Sequence, residues 1–308
     1  MRPDLTQLRD LVEAEPGYRR VPAAAVPEAA IRGAEALVGP LPPSYRWWLA
    51  EFGRGRAGRA DIASVVPPEF ADDAHDAITT GWRLSGDRLC FAEEPDCGDS
   101  HFFALDRAGE AGEGEYPVVR RDGADGEEYP VAESFAGFLA VESARFRGLG
   151  DGPNPALARL WRSTPGVLLD NGVLVYGPHR IQERNESFAV ARHAPHWVLI
   201  GDDGTGGGLF MRRHGRDRTR VYRLDPGAIG QDIEARGEPL TDDLFGWLRA
   251  GAPVSAPAAG EPPLEGAAAR RPGRGPLHPA PRARGIRSPG ERVTSPSPDL
   301  SGRSRRGA

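Results

Sequence analysis

The amino-acid sequence predicts an α+β fold: helices, then an antiparallel β meander, then a closing helix, repeated in a second, smaller unit and followed by a disordered tail. Three observations lead there. Up to Gly53 apolar residues recur at helical spacing, and beyond it they fall into short runs bounded by Gly, Pro and acidic loops. Helices followed by a block of strands indicate α+β rather than an alternating parallel sheet. Residues 147–155, RGLGDGPNP, mark an internal boundary, so 1–150 and 151–252 are read as two domains. Residues 253–308 hold 11 Pro, 8 Gly, ten Arg, four acids and no aromatic side chain. Such a segment cannot bury enough apolar surface to offset the entropy of ordering it.

Taken in order, Leu5, Leu8, Leu11 and Val12 define a first short helix ending near Pro16-Gly17. Ile31, Ala34, Leu37 and Val38 mark the face of a second, stopped by Gly39-Pro40, and Pro42-Pro43 opens a third, since a first-turn proline has no amide to waste. In this third helix Tyr45, Trp48, Leu49 and Phe52 form one buried stripe, and Trp47 lies about 160° from Tyr45. Trp47 therefore either packs against another part of the protein or is an exposed anchor for a partner. Strands are expected at 61–66, 88–92, 101–106, 116–120 and 129–132, with a closing helix carrying Phe135, Phe138, Leu139 and Glu142. In the second unit a short helix over 156–162 precedes a hairpin around Asn171-Gly172, and 182–192 reads as a polar helix. Strands follow at 197–201, 209–213 and 220–224, and Thr241 caps a last helix with Asp242 and Asp243 in its first turn.

Charge is unevenly placed within a formal net of -5: residues 1–150 carry 16 Arg and 27 acids (-11), 151–252 are neutral, and the tail is +6. All 39 basic residues are Arg, which points to GC-rich coding DNA more than to a demand for guanidinium. Two cysteines, Cys90 and Cys97, are no disulfide scaffold, so a reducing cytoplasm is the expected compartment. There is neither a secretory signal pattern at Met1 nor an apolar run approaching the roughly 18 residues that span a bilayer, so no membrane partner is expected.

Leu37, Leu41-Pro42, Tyr45 and Trp48-Leu49, followed by a break, β segments at 62–65 and 99–106, and the helix over 135–139, resemble the SUKH superfamily. That superfamily includes bacterial toxin-immunity proteins and fungal cell-wall-assembly regulators. Gly53-Arg54-Gly55 stands where such proteins often carry an Asn-Gly-Gly turn. The second unit is similar to another branch of it through Val175-Tyr176-Gly177, Glu183-Arg184-Asn185, residues 197–204 and the 244–248 helix, so two tandem units covering about 25–250 are expected. The resemblance implies a non-catalytic protein-binding module, an immunity protein neutralising a toxin domain, with a regulatory or scaffold protein as the alternative.

The polar motifs are weighed against structural readings. Residues 201–208, GDDGTGGG, lack the GK[ST] ending and following helix of a phosphate cradle, and Asp202 and Asp203 would repel phosphate. A tight turn is the expected structure, with a partner contact or a cation site as the residual role of those two acids. In His193-Ala-Pro-His196 the proline disfavours a helical metal pair, and no metal, cofactor or catalytic residue is expected. The acidic loops remain: Glu93, Glu94, Asp96 and Asp99; Glu110, Glu113 and Glu115; Asp122, Asp125, Glu127 and Glu128. Gathered at one edge, they would speed encounter with a basic protein and disfavour nucleic acid. Glu93, Glu94, Asp96 and Asp99, with Trp47, are the expected partner contacts. The basic tail is read as incidental translation of GC-rich DNA.

Overall fold

The computed structural model describes residues 1–15, 18–20, 25–65, 82–109, 113–215, 217–230 and 232–254. The expected disordered tail lies outside them, except for Pro253 and Val254, as do Val66 and the histidine at 75. The chain opens with α1 (Leu5–Ala14), capped by the Asp4 carboxylate, which accepts from the amides of Thr6 and Gln7. Then come β1 (Arg19–Arg20), α2 (Glu28–Val38) and α3 (Pro43–Glu51). The stripe Tyr45, Trp48, Leu49 and Phe52 is buried as its spacing predicts. Leu37 departs from its expected face and is 83% exposed, whereas Ile31 and Ala34 of α2 are buried and Ala30 and Val38 pack partly against the core.

The meander consists of β2 (Gly55–Ala57), β3 (Ala60–Ile62), β4 (Arg83–Ser85), β5 (Arg88–Glu94), β6 (Asp99–Ala104), β7 (Val118–Arg121) and β8 (Glu128–Ala132). They form one antiparallel sheet in the order β1-β2-β3-β5-β6-β7-β8, with β3 and β4 sharing one edge of β5. Strand alternation divides the side chains. Leu89, Phe91, Phe103 and Val118 face α3 and the helix α4 (Phe135–Phe146), whereas Cys90, Phe102 and Val119 form a small cluster on the outer face. Tyr45 centres the inner core, 5.0 to 5.8 Å from the rings of Phe135, Phe103 and Phe91, and its hydroxyl donates to the Ala63 carbonyl at 2.7 Å.

The second half contains α5 (Pro155–Trp161), β9 (Val167–Leu168), β10 (Leu174–Val175), α6 (Pro178–Ser187), α7 (Val190–His193), β11 (Trp197–Asp202), β12 (Gly208–Arg212) and β13 (Val221–Leu224). It ends with α8 (Ile233–Arg236), β14 (Glu238–Thr241) and α9 (Leu244–Arg249). The sheet order is β14-β13-β12-β11-β10-β9, all antiparallel, with the expected hairpin at Asn171-Gly172. The polar helix expected over 182–192 starts earlier and breaks at Ala189, whose φ of +48° interrupts the helical path. Thr241 ends a strand instead of capping α9, and its hydroxyl accepts from the Asp243 amide at 3.0 Å.

The helix that closes the first meander is also core to the second half. Phe135, Phe138 and Leu139 belong to the first cluster, and Ala140 and Ala144 to the second. A helix apolar on all sides needs a partner on each, and α4 touches α3 and β8 as well as α5 and α6. Polar ties follow the same seam. Arg180 of α6 donates to Asp10 of α1 at 2.6 Å, Arg147 to the buried Glu15 at 2.5 Å, and Glu133 N–H to the Arg162 carbonyl at 2.7 Å. Residues Met1–Ala256 thus form one compact unit around two sheets.

Candidate functional site

Alternate connections of an antiparallel meander emerge at the same end of the sheet, so the β5–β6 turn and the β7–β8 loop are neighbours. Glycine lets them touch. The Gly123 amide donates to Asp99 Oδ1 at 2.9 Å, and a Cβ on Gly123 would stand 2.6 Å from the Cys97 carbonyl oxygen. Two of the three acidic loops therefore share an edge. The third lies at the opposite end, where Glu113 is 3.6 Å from Arg2 and Glu115 is buried against α3. Glu110 falls outside the described residues.

Within the shared edge the four predicted carboxylates do different work. Glu94 is 6% exposed and pairs with His101 at 3.0 Å. This hydrogen bond, ahead of the opposing effect of burial, holds its carboxyl below the usual range. An ionised carboxylate only accepts, so His101 Nε2 is the donor, and Nδ1 is buried without a partner. Asp99 is also buried, tied to Gly123 and to Arg120 Nε at 3.1 Å. Glu93 is held by Arg83 on the outer face of the sheet. Asp96 alone of the four points outward, its side chain 77% exposed and 3.8 Å from Arg56.

Arginine neutralises much of the remaining acidity. Arg120 also meets Asp122 at 3.3 Å, Arg121 meets Glu128 at 2.7 Å, and Arg88 joins Glu128 and Asp106 at 3.1 and 2.6 Å. The Arg121 hydrogen bond is the leading reason the Glu128 carboxyl is shifted down. What faces outward beside Asp96 is Asp125, Glu127 and Tyr129, whose hydroxyl donates to Glu127 Oε2 at 2.7 Å. Tyr129 was not among the predicted contacts, although an aromatic residue directly after an acidic run was the available signal. Glu94, Cys97 and Asp99 place one ligand atom each within 4.8 Å of one another, the grouping with metal-ligand chemistry among the described residues. Its two carboxylates already accept from His101 and Gly123, and Arg120 supplies a positive charge against Asp99. Cys90 and Cys97 are free thiols, one buried and one exposed.

Trp47 is partly buried against α1. Its ring lies 5.3 Å from Phe52, and the Arg9 guanidinium sits 5.4 Å from its centroid, so of the two readings the structure favours packing within the protein.

The GDDGTGGG stretch is the turn between β11 and β12. Asp203 is buried and its Oδ1 accepts from the amides of Thr205 and Gly207, both at 2.8 Å, while Arg223 Nε donates to Oδ2 at 2.5 Å. The amides that would cradle a phosphate are filled by the loop's own carboxylate, which these donors hold below its ordinary pKa against the opposing effect of burial. Asp202 is half-buried and accepts from the Tyr176 hydroxyl at 2.9 Å.

Two further groups have buried roles that no local sequence pattern shows. Glu115 accepts from both the amide and the hydroxyl of Ser44 at 2.8 Å, serving as a remote cap for α3. His179 of α6 is 5% exposed with neither ring nitrogen hydrogen-bonded, and burial pushes its pKa down to about 3. No helix among the described residues is long and apolar enough to cross a membrane.

No curated protein matches the chain. Residues 25–141 match the family model described as SMI1 / KNR4 family (SUKH-1). This span runs from the entry to α2 into α4, taking in the Tyr45-centred core and the whole meander with its glycine-packed edge. That match and the fold it covers support a SUKH superfamily domain over residues 25–141.

Proposed function

We propose that this protein is a non-catalytic immunity-type module that neutralises a toxin domain by covering its active surface. Docking takes place through the edge built by the β5–β6 turn and the β7–β8 loop. The observation that carries the reading is the outward set Asp96, Asp125, Glu127 and Tyr129 on a glycine-packed, hydrogen-bonded base within a SUKH domain. Exposed carboxylates on a stiff edge steer a basic partner and cost little ordering on binding, and a tyrosine beside them supplies contact area. A nuclease domain, basic because it must bind nucleic acid, is the class of toxin this surface fits. The same acidity disfavours nucleic acid itself at this edge, and the cytoplasm is the compartment where such a partner would need neutralising. Asp202 and Asp203 serve the β11–β12 turn and lie outside the docking edge in this proposal.

The test is coexpression of the chain with toxin domains encoded beside its gene. A stoichiometric complex and rescue of growth are expected with one of them. Absence of both across all of these domains overturns the proposal, and an isolated housekeeping gene context would favour the regulatory, cell-wall-regulator type of role instead.

A further inference from the structure

A cleft of about 760 Å³ lies between α4, α5 and the loop after β12. Its wall carries Arg145, Arg159, Arg162, Arg213, Arg218 and His214, and the acid in that wall is Asp151. Arg145 is engaged by Glu142 at 2.8 Å. Among the described residues, the other four arginines have no carboxylate within ion-pair distance, whereas Arg88, Arg120 and Arg223 each meet more than one. Arg159 rests on the Phe245 ring at 4.6 Å and Arg162 keeps a buried Nε without a hydrogen-bond partner. Arg213 and Arg218 are exposed. Four uncompensated guanidiniums around one concavity repel one another, and an anion bound there relieves that repulsion.

The floor is preorganised. Asn154 is 1% exposed, caps α5 through the Ala156 amide at 2.8 Å, and donates from Nδ2 to the carbonyls of Arg212 and Arg218, each at 2.8 Å. It thereby fixes both ends of the loop that presents Arg213 and Arg218. A second cavity of about 340 Å³, lined by Leu149, Ile181, Trp197 and Val198, adjoins the first through Pro153 and Arg213.

We propose that this cleft is a binding site for a small polyphosphate ligand, with its phosphates in the arginine-lined cavity and an apolar group of the ligand able to enter the neighbouring one. The volume falls within the usual range for small-molecule sites. The planar guanidinium fork matches phosphate oxygens in pairs, and four uncompensated positive charges suit a di- or triphosphate better than a single carboxylate. The site stands on residues separate from the docking edge, so its failure and the failure of the immunity reading are independent.

The experiment is isothermal titration calorimetry of the full chain with pyrophosphate, ADP and citrate at low salt, repeated with the double variant Arg213→Glu, Arg218→Glu. Both substitutions are at exposed positions, and equal melting temperatures without ligand will establish that the variant is folded. Pyrophosphate and ADP should bind, lose affinity as salt rises, and weaken by about tenfold or more in the variant, since each lost charged hydrogen bond weighs heavily on affinity. No pyrophosphate binding up to about 1 mM, the threshold of even a weak site, overturns the proposal. So does equal affinity in the variant, or citrate binding as tightly as pyrophosphate, which would mean attraction by net charge alone.

Discussion

Replacing Gly137 by alanine sets two opposed effects against each other on the seam between the two halves. Gly137 is the third residue of α4, and within a helix alanine is favoured over glycine by up to about 1 kcal/mol. Propensity alone therefore makes the substitution stabilising. Against it, the added Cβ would stand 1.8 Å from the Arg162 carbonyl oxygen and 2.3 Å from its carbon. Both are backbone atoms, and the oxygen is engaged by the Glu133 amide at 2.7 Å. Relief requires α4 and the segment after α5 to part by more than a bond length, losing that hydrogen bond and loosening Ala140 and Ala144 from the second core. Overpacking costs about 1 to 3 kcal/mol and the lost bond about 1. The net expectation is destabilisation of about 2 kcal/mol, seen as a lower urea midpoint followed by tryptophan fluorescence and circular dichroism. Trp48 reports the first core and Trp161 the second, so the transition should stay single and shift as a whole. An unchanged or raised midpoint refutes the close packing of α4 on the second half.

His179 has a folded pKa of about 3, so the unfolded chain takes up the proton first. Stability should be full above about pH 6.5 and fall as pH drops toward 3, by about 2 kcal/mol at pH 5. That part of the pH slope should vanish in His179→Gln, and an identical profile for the two proteins counts against a buried neutral imidazole. Asp203→Ala should cost about 3 kcal/mol by urea titration, because it strands two turn amides and removes the nearest carboxylate of Arg223, leaving it Glu238 at 3.6 Å; a loss under about 1 kcal/mol would contradict the self-filled turn. Glu94→Arg and Asp99→Arg should each destabilise by about 3 kcal/mol as buried charge reversals, while Asp96→Arg should leave the midpoint within about 0.5 kcal/mol. Equal effects at buried Glu94 and exposed Asp96 would show the edge to be misassigned.

The helical parts were legible because their signal is contiguous. Tyr45, Trp48, Leu49 and Phe52 repeat at 3.6-residue spacing, and every one is core. Short edge strands carried no such signal. Arg83–Ser85 is three residues long and exposed, and Glu238–Thr241 contains Pro239, which argues against a central strand and is tolerated here at the end of the sheet. The candidate site was half legible. Local acidity located the loops, but whether a carboxylate is a surface charge or a structural one is decided by partners remote in sequence. Asp99 meets Arg120, Asp203 meets Arg223, and Glu115 meets Ser44 from 71 positions away. No local pattern holds that information. The shared role of α4 was hidden for a related reason: its second face is made of Ala140 and Ala144, small residues whose burial depends on a partner from beyond the 147–155 break.

Docking of a basic toxin domain is proposed at the β5–β6 and β7–β8 edge. It is tested most directly by the association rate between the full chain and the toxin domain whose growth inhibition it relieves, by stopped flow at low and physiological salt, with Asp96→Arg and Glu127→Arg beside the unmodified chain. Slower association is expected in both variants, with a difference that shrinks as salt screens the charges and with unchanged folding stability. Association rates equal to that of the unmodified chain at low salt would contradict it.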